Sequence, residues 1–116
     1  MKALIILNDP PYGTERSYNG LRLALALAKT DGTELRLFLM GRCGGLCEAR
    51  PEDGGRLLQP RAHAARVSRK GGPGRACGTC MDARGLVDAD LVAGAHRSSM
   101  TELAEWTLWA EKVLTF

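Results

Sequence analysis

The chain has 116 residues, of which 45% are hydrophobic and 25% charged, and its formal net charge is +3. This length suits one domain, residues 1–116, around a single core, and the composition is typical of a soluble globular protein rather than a disordered chain. The first apolar run, Lys2 to Leu7, is too short for a membrane helix and has no small-residue cleavage site after it. We therefore expect a cytoplasmic protein with no membrane segment.

The first part of the chain predicts a βαβ unit. Lys2 to Leu7 is a continuous apolar run that ends at Asn8-Asp9-Pro10-Pro11, which is typical of a strand buried on both faces of a parallel sheet. Ser17 to Lys29 is rich in Leu and Ala at helical spacing and predicts a helix. Glu34 to Met40 alternates and predicts a second strand, so that a doubly wound α/β fold is expected.

The last part of the chain predicts shorter elements. Gly74 to Cys77 is interpreted as a strand end followed by a loop to Leu86, and Asp88 to Ala95 as a short helix. The segment Ser99-Met-Thr-Glu102 is a capping box that starts a helix running to about Glu111. Lys112 to Phe116 predicts a final apolar strand.

The apolar residues of the helix after Ser99 form a band that is wider than one core-facing stripe. Part of this helix is therefore expected to cover a subunit interface. Trp106 and Trp109 are interpreted as core or homo-oligomer packing residues rather than as part of a cofactor site.

The central stretch from Gly41 to Gly74 has no clear pattern. It is rich in Gly, Arg, Pro and Ala, and it contains no Ile, Phe, Tyr, Trp, Thr, Asn or Met. Leu57 to Lys70 predicts at most a poor helix, because Pro60 interrupts its first turns. The stretch is strongly basic, but without aromatic residues it offers no stacking platform for single strands, so no nucleic-acid partner is expected.

Five ordered segments of the sequence resemble the DsrE/DsrF-like family, in its YchN-like branch. They are Asn8-Asp-Pro-Pro-Tyr-Gly13, Leu21-Arg-Leu-Ala-Leu-Ala-Leu27, Leu35-Arg-Leu-Phe-Leu-Met40, Cys77-Gly-Thr-Cys-Met-Asp-Ala-Arg-Gly85, and Leu103-Ala-Glu-Trp-Thr-Leu108 with Lys112-Val-Leu-Thr-Phe116. The resemblance implies a three-layer α/β sandwich with a mostly parallel sheet and flavodoxin-like winding. It also implies a homo-oligomer, a trimer or hexamer, and a cysteine that carries sulfur between donor and acceptor proteins without a cofactor.

The central stretch departs from the pattern of the family, which there has a Gly-Tyr-Asn segment opening a helix. Arg56-Leu-Leu-Gln-Pro60 can be encoded CGG CTA CTA CAA CCT, and the same bases read one position later give Gly-Tyr-Tyr-Asn followed by the start of a Leu codon. This supports the hypothesis of a compensated frameshift across most of Gly41 to Gly74. Under that hypothesis Cys43 and Cys47 have no function.

The cysteine pair near the predicted third strand is the candidate catalytic site. Only a thiolate attacks a persulfide, so a sulfur carrier needs a site that favours thiolate over thiol. The resemblance implies that Cys77 is the carrier, counted back from Arg84-Gly85, and that Cys80 is a helper or resolving thiol. Because ligands of open α/β sheets bind at the carboxyl ends of the strands, binding roles are expected for Asn8, Tyr12, Gly13 and Arg84.

Other readings of the four cysteines remain open. In one alternative the cysteines are inert small hydrophobic residues of a non-enzymatic oligomeric structural or regulatory protein. In the other, a zinc-binding domain holds its metal through four thiolates, those of Cys43, Cys47, Cys77 and Cys80. The flanking sequence does not favour a thioredoxin-like dithiol. His63 and His96 have no partner at ligand spacing, so no metal site is expected outside the zinc reading.

Overall fold

The computed structural model describes residues 1–10, 14–41, 66–67, 72–91 and 94–116. The described elements follow one another as β1 (Lys2–Leu7), α1 (Arg16–Leu27), β2 (Glu34–Leu39), β3 (Gly74–Cys77), α2 (Gly78–Asp82), a 3-10 turn (Asp88–Asp90), β4 (Ala95–Ser98), α3 (Met100–Trp109) and β5 (Lys112–Thr115).

The strands form one five-stranded sheet in the order β4-β3-β2-β1-β5, and every neighbouring pair is parallel. The chain steps from β1 through β4 in one direction and then returns to place β5 on the other side of β1. Because all strands run the same way, their carboxyl ends lie at one edge of the sheet. The α/β fold expected from the sequence is confirmed.

Helices cover both faces of the sheet, as the expected three-layer sandwich requires. Successive side chains of a strand point to opposite faces, and β1 accordingly contributes to two separate apolar clusters. The first cluster includes Ile5 and Leu7 of β1, packed with Leu21 of α1. We call it the first-face cluster. The second-face cluster consists of the buried residues Leu4, Phe38, Cys77, Leu103 and Trp106.

Helix α3 packs on the second face through its buried residues Leu103 and Trp106. The ring of Trp106 meets that of Phe38 edge to face, with centroids 6.0 Å apart. Trp106 is therefore a core residue, as one of its two readings predicted. Trp109 is only half-buried, and the guanidinium of Arg36 lies 3.9 Å from the centroid of its ring.

The start of α3 confirms one half of the predicted capping box. The Ser99 hydroxyl accepts a hydrogen bond from the Glu102 N–H at 3.3 Å. The carboxylate of Glu102 turns elsewhere, since it accepts hydrogen bonds from the Ser98 hydroxyl and from Arg75 Nε. It thereby ties α3 to β3 and β4, which both end beside Cys77.

Two predicted elements of the last part of the chain are wrong. The segment from Asp88 to Ala95 begins with a 3-10 turn over Asp88–Asp90 and ends at the start of a strand, β4. The strand was missed because Ala95–Ser98 has two exposed polar residues at its centre and is paired through its backbone alone to β3. The predicted loop after Cys77 instead opens with the short helix α2.

The helix predicted over Leu57 to Lys70 lies outside the described residues except for Arg66 and Val67, and Val67 is buried in the first-face cluster. The basic stretch that contains it is also largely outside them. Among the helices described, none has the length and apolar character needed to cross a membrane.

Candidate functional site

The site is built on the junction between β3 and α2. Strand β3 ends at Cys77, whose φ and ψ of −59° and 118° are not helical, and α2 begins at the next residue. Cys80 follows on the first turn of α2, so that the two sulfurs come to the same side of the junction. Both cysteines are free thiols.

The two thiols differ in burial. Cys77 is 6% exposed and belongs to the second-face cluster, whereas Cys80 is half-buried and packs against the outside of that cluster. The side chain of Cys77 lies near enough to Cys80 to raise the pKa of the Cys80 thiol. The two thiols are therefore neighbours that differ in their access to solvent.

Cys80 is surrounded by groups with opposing effects on its charge. Burial, the hydrogen bond to Cys77 and the charge of Cys77 raise the pKa of Cys80, and the Gly41 N–H and Arg84 oppose this. The Gly41 N–H donates to Cys80 Sγ at an N···S distance of 3.2 Å. The net direction is upward, so Cys80 is mainly a neutral thiol at neutral pH.

Gly41 reaches Cys80 because the backbone after β2 turns sharply there. Its φ of +57° lies in the left-handed region, which favours glycine. A Cβ at this position would lie 3.1 Å from the carbonyl oxygen of Asn8. The segments that follow β1 and β2 are therefore in close contact, and the Gly41 N–H points at Cys80.

Arg84 lies beside Cys80 rather than Cys77. Its Nη1 donates to the Cys80 carbonyl oxygen at 2.9 Å, an arrangement that holds the guanidinium at the end of α2. The amide of Asn8 donates to the carbonyl oxygen of Phe116 at 3.2 Å and so joins β1 to β5 at the same edge. The binding roles predicted for Arg84 and Asn8 stay predictions, and Tyr12 and Gly13 lie outside the described residues.

Arg97 is a site neighbour that the sequence reasoning missed. Its guanidinium forms two hydrogen bonds with the Asp82 carboxylate, at 2.6 and 2.7 Å, and lies across Gly78. A Cβ on Gly78 would be 2.9 Å from the guanidinium carbon and 2.8 Å from the Ser98 carbonyl oxygen. Because Gly78 has no side chain, the guanidinium of Arg97 can lie next to the residue that follows Cys77. The position of Arg97 could have been predicted only if β4 had been recognised.

In the described part of the chain, no three His, Cys, Asp or Glu side chains are grouped so that they could hold a metal ion. Cys43, Cys47 and His63 lie outside it, and the zinc reading thus stays a prediction. What the described geometry can support is thiol chemistry, because it holds two free thiols at one junction beside an amide donor and two guanidinium groups.

The model of the DsrE/DsrF-like family matches residues 1–116. The chain belongs to this family. It is 39% identical over 118 residues to protein YchN of Escherichia coli K12, a match that covers 99% of this chain and 98% of the relative. It is also 34% identical to the uncharacterized protein MJ0989 of Methanocaldococcus jannaschii, with full coverage of both chains.

Solved structures agree with the family. The crystal structure of the ychN protein from E. coli has a TM-score of 0.91 and 37% identity, and the match covers 99% of this chain and 98% of that one. The protein MTH1491 from Methanobacterium thermoautotrophicum shares only the fold, with a TM-score of 0.71 at 12% identity over 99% and 97% of the two chains. The resemblance to the DsrE/DsrF-like family in its YchN-like branch is therefore confirmed.

Proposed function

We propose that this protein is a sulfur carrier or sulfurtransferase that forms a transient persulfide on Cys77. The family as a whole is associated with sulfur relay. The observation that carries the proposal is the pair of free thiols, Cys77 and Cys80, at the carboxyl end of β3, where the Gly41 N–H donates to Cys80 Sγ. A thiolate in this position is the species that attacks a persulfide.

The proposed chemistry uses the thiols alone. The thiolate of Cys77 attacks the outer sulfur of a persulfide, the S–S bond of that persulfide breaks, and the cysteine that carried the sulfur leaves as a thiolate. The new S–S bond places the transferred sulfur on Cys77. An acceptor thiolate later attacks that outer sulfur in the same way and returns Cys77 to the thiolate.

Two further features belong to the same proposal. We place the protein in the cytoplasm, where a reducing environment keeps the thiols of Cys77 and Cys80 free. We also propose a homo-oligomer, a trimer or hexamer, assembled through the outer face of α3. Leu108 is 88% exposed there and Met100 58%, which is unusual for large apolar side chains unless a partner covers them.

The proposed function is tested by mass spectrometry after incubation with a cysteine desulfurase and cysteine. We expect the wild-type protein to gain the mass of one sulfur atom, and fragmentation of the peptide that contains both thiols to locate it on Cys77. The Cys77→Ser, Cys80→Ser double variant serves as the control and should gain nothing. An unchanged mass of the folded wild-type protein would instead support the inert-cysteine alternative.

A further inference from the structure

The burial of Cys77 limits which molecules can exchange sulfur with it. Cys77 is 6% exposed, and its neighbours in the second-face cluster include the large rings of Phe38 and Trp106. A partner protein that delivers sulfur must bring its own sulfur into contact and in line with the attacking thiolate. Cys80 lies on the solvent side of the same cluster and is the first thiol that such a partner reaches.

We propose that Cys80 is the exchange thiol through which sulfur enters and leaves, and that Cys77 is the buried storage thiol. This inference rests on the proposed function, and it assigns different tasks to the two cysteines. The partner class that requires Cys80 is a protein persulfide. Inorganic polysulfides do not need Cys80, because these short chains of sulfur atoms are far smaller than a protein.

The contacts of Cys80 suit a sulfur that repeatedly gains and loses negative charge. The Gly41 N–H donates to Cys80 Sγ, and Arg84 is held one turn further along by the Cys80 carbonyl oxygen. Both groups stabilise a thiolate leaving group on Cys80. Cys80 packs against the cluster that contains Cys77, so the second transfer is intramolecular and is favoured over loss of the sulfur to solvent.

The proposed sequence balances in atoms and charge. The Cys80 proton first moves to Cys77, and the Cys80 thiolate attacks the outer sulfur of the donor persulfide. The donor S–S bond breaks and the donor thiolate leaves, taking up the proton of Cys77. The Cys77 thiolate then attacks the outer sulfur on Cys80, the S–S bond of Cys80 breaks, and Cys80 is released as a thiolate. Delivery to an acceptor thiolate follows the reverse path.

A disulfide between the two cysteines is not part of this path. Attack of Cys80 on the inner sulfur of a Cys77 persulfide would release hydrosulfide and oxidise both cysteines. The proposed path stores the sulfur, whereas closure of a disulfide would lose it. Transfer of the outer sulfur between the two cysteines leaves both of them at the oxidation level of a thiol or a persulfide.

The test compares two sulfur donors on the Cys80→Ser variant of the full chain. One donor is a cysteine desulfurase with cysteine, and the other is inorganic polysulfide. Serine keeps an oxygen that accepts the Gly41 N–H, so the site geometry is preserved, and urea unfolding should confirm this. We expect loading of Cys77 from the desulfurase to fall by about tenfold or more relative to its loading from polysulfide.

The reciprocal variant supplies the second arm. In Cys77→Ser, the desulfurase should still place one sulfur on Cys80, located by peptide fragmentation. Wild-type loading rates from both donors in Cys80→Ser would overturn this inference and leave the proposed function intact. Failure of both donors on folded Cys80→Ser would also overturn it, since Cys80 would then serve the chemistry rather than access. Absence of sulfur on the wild-type protein would instead overturn the proposed function itself.

Discussion

Replacement of Gly78 by alanine tests whether close packing at the thiol site is as tight as the structure shows. A Cβ on Gly78 would lie 2.8 Å from the Ser98 carbonyl oxygen and 2.9 Å from the guanidinium of Arg97. The guanidinium can swing away at the expense of its bond to Asp82. The carbonyl belongs to β4, whose pairing partner at that level is Cys77, so relief of that clash must move the strand or α2.

The size of the effect follows from two opposing contributions. Overpacking of a close contact costs about 1–3 kcal/mol. Alanine gains about 0.4–1 kcal/mol over glycine where the backbone accepts it, mainly through the unfolded chain. We therefore expect the free energy of unfolding of Gly78→Ala to fall by roughly 1–2 kcal/mol, and its Tm by roughly 4–10 °C.

Urea denaturation followed by tryptophan fluorescence measures this loss, and the rate of alkylation by iodoacetamide reports on the thiols. Gly85→Ala is the control, because Gly85 has a φ of +65° but open space around its Cα. It should be destabilised by about 1–2 kcal/mol through backbone strain alone, with unchanged alkylation of Cys77. Gly78→Ala should expose Cys77 and speed its alkylation. A Gly78→Ala protein as stable as wild type, with Cys77 alkylated no faster, would refute the packing argument.

The other expectations concern the exchange thiol, the core and the assembly. Because burial raises the pKa of Cys80, its alkylation rate should still increase with pH above the ordinary range of cysteine; Arg84→Gln should move the midpoint higher and Arg84→Lys should not, as mapped by peptide mass spectrometry. Trp106→Leu should lower the free energy of unfolding by about 2–4 kcal/mol and Trp109→Leu by less than about 1.5 kcal/mol in urea titrations, since only the first ring is fully buried; equal losses would contradict this. Leu108→Glu should shift the sedimentation coefficient towards that of a monomer while the circular dichroism spectrum stays unchanged, and an unaltered assembly would exclude this face as the interface.

The sequence predicted the elements that carry a strong hydrophobic pattern. The bounds of β1 agree with the prediction, and β2 and α3 agree to within a residue or two at their ends. The strand β4 could not be predicted in this way, because its four residues Ala-His-Arg-Ser have no alternating apolar pattern. It is defined by backbone pairing to β3, a long-range interaction that a local pattern does not encode.

The same limit applied to the site. The position of Cys77 at the end of a strand was predicted, because the preceding residues and the family segment placed it there. The pairing of Arg84 with the Cys80 backbone and the position of Arg97 across Gly78 were not, since both depend on α2 and β4. The raised pKa of Cys80 could not be predicted either, because it follows from burial and from the neighbouring sulfur.

The difference in burial between the two thiols has a consequence for any labile sulfur that the protein carries. A persulfide on an exposed cysteine is open to attack by the small thiols that keep a reducing compartment reduced. On the proposed function, a persulfide on Cys77 would lie in the second-face cluster with Phe38 and Trp106, where thiols have less access than at an exposed cysteine. The raised pKa of Cys80 would add a second barrier to loss of the sulfur. Cys80 must lose its proton before it can attack the outer sulfur of a persulfide on Cys77. The proposed division of storage and exchange between two cysteines would thus reconcile a reactive cargo with a reducing environment, which a single cysteine of either burial would not.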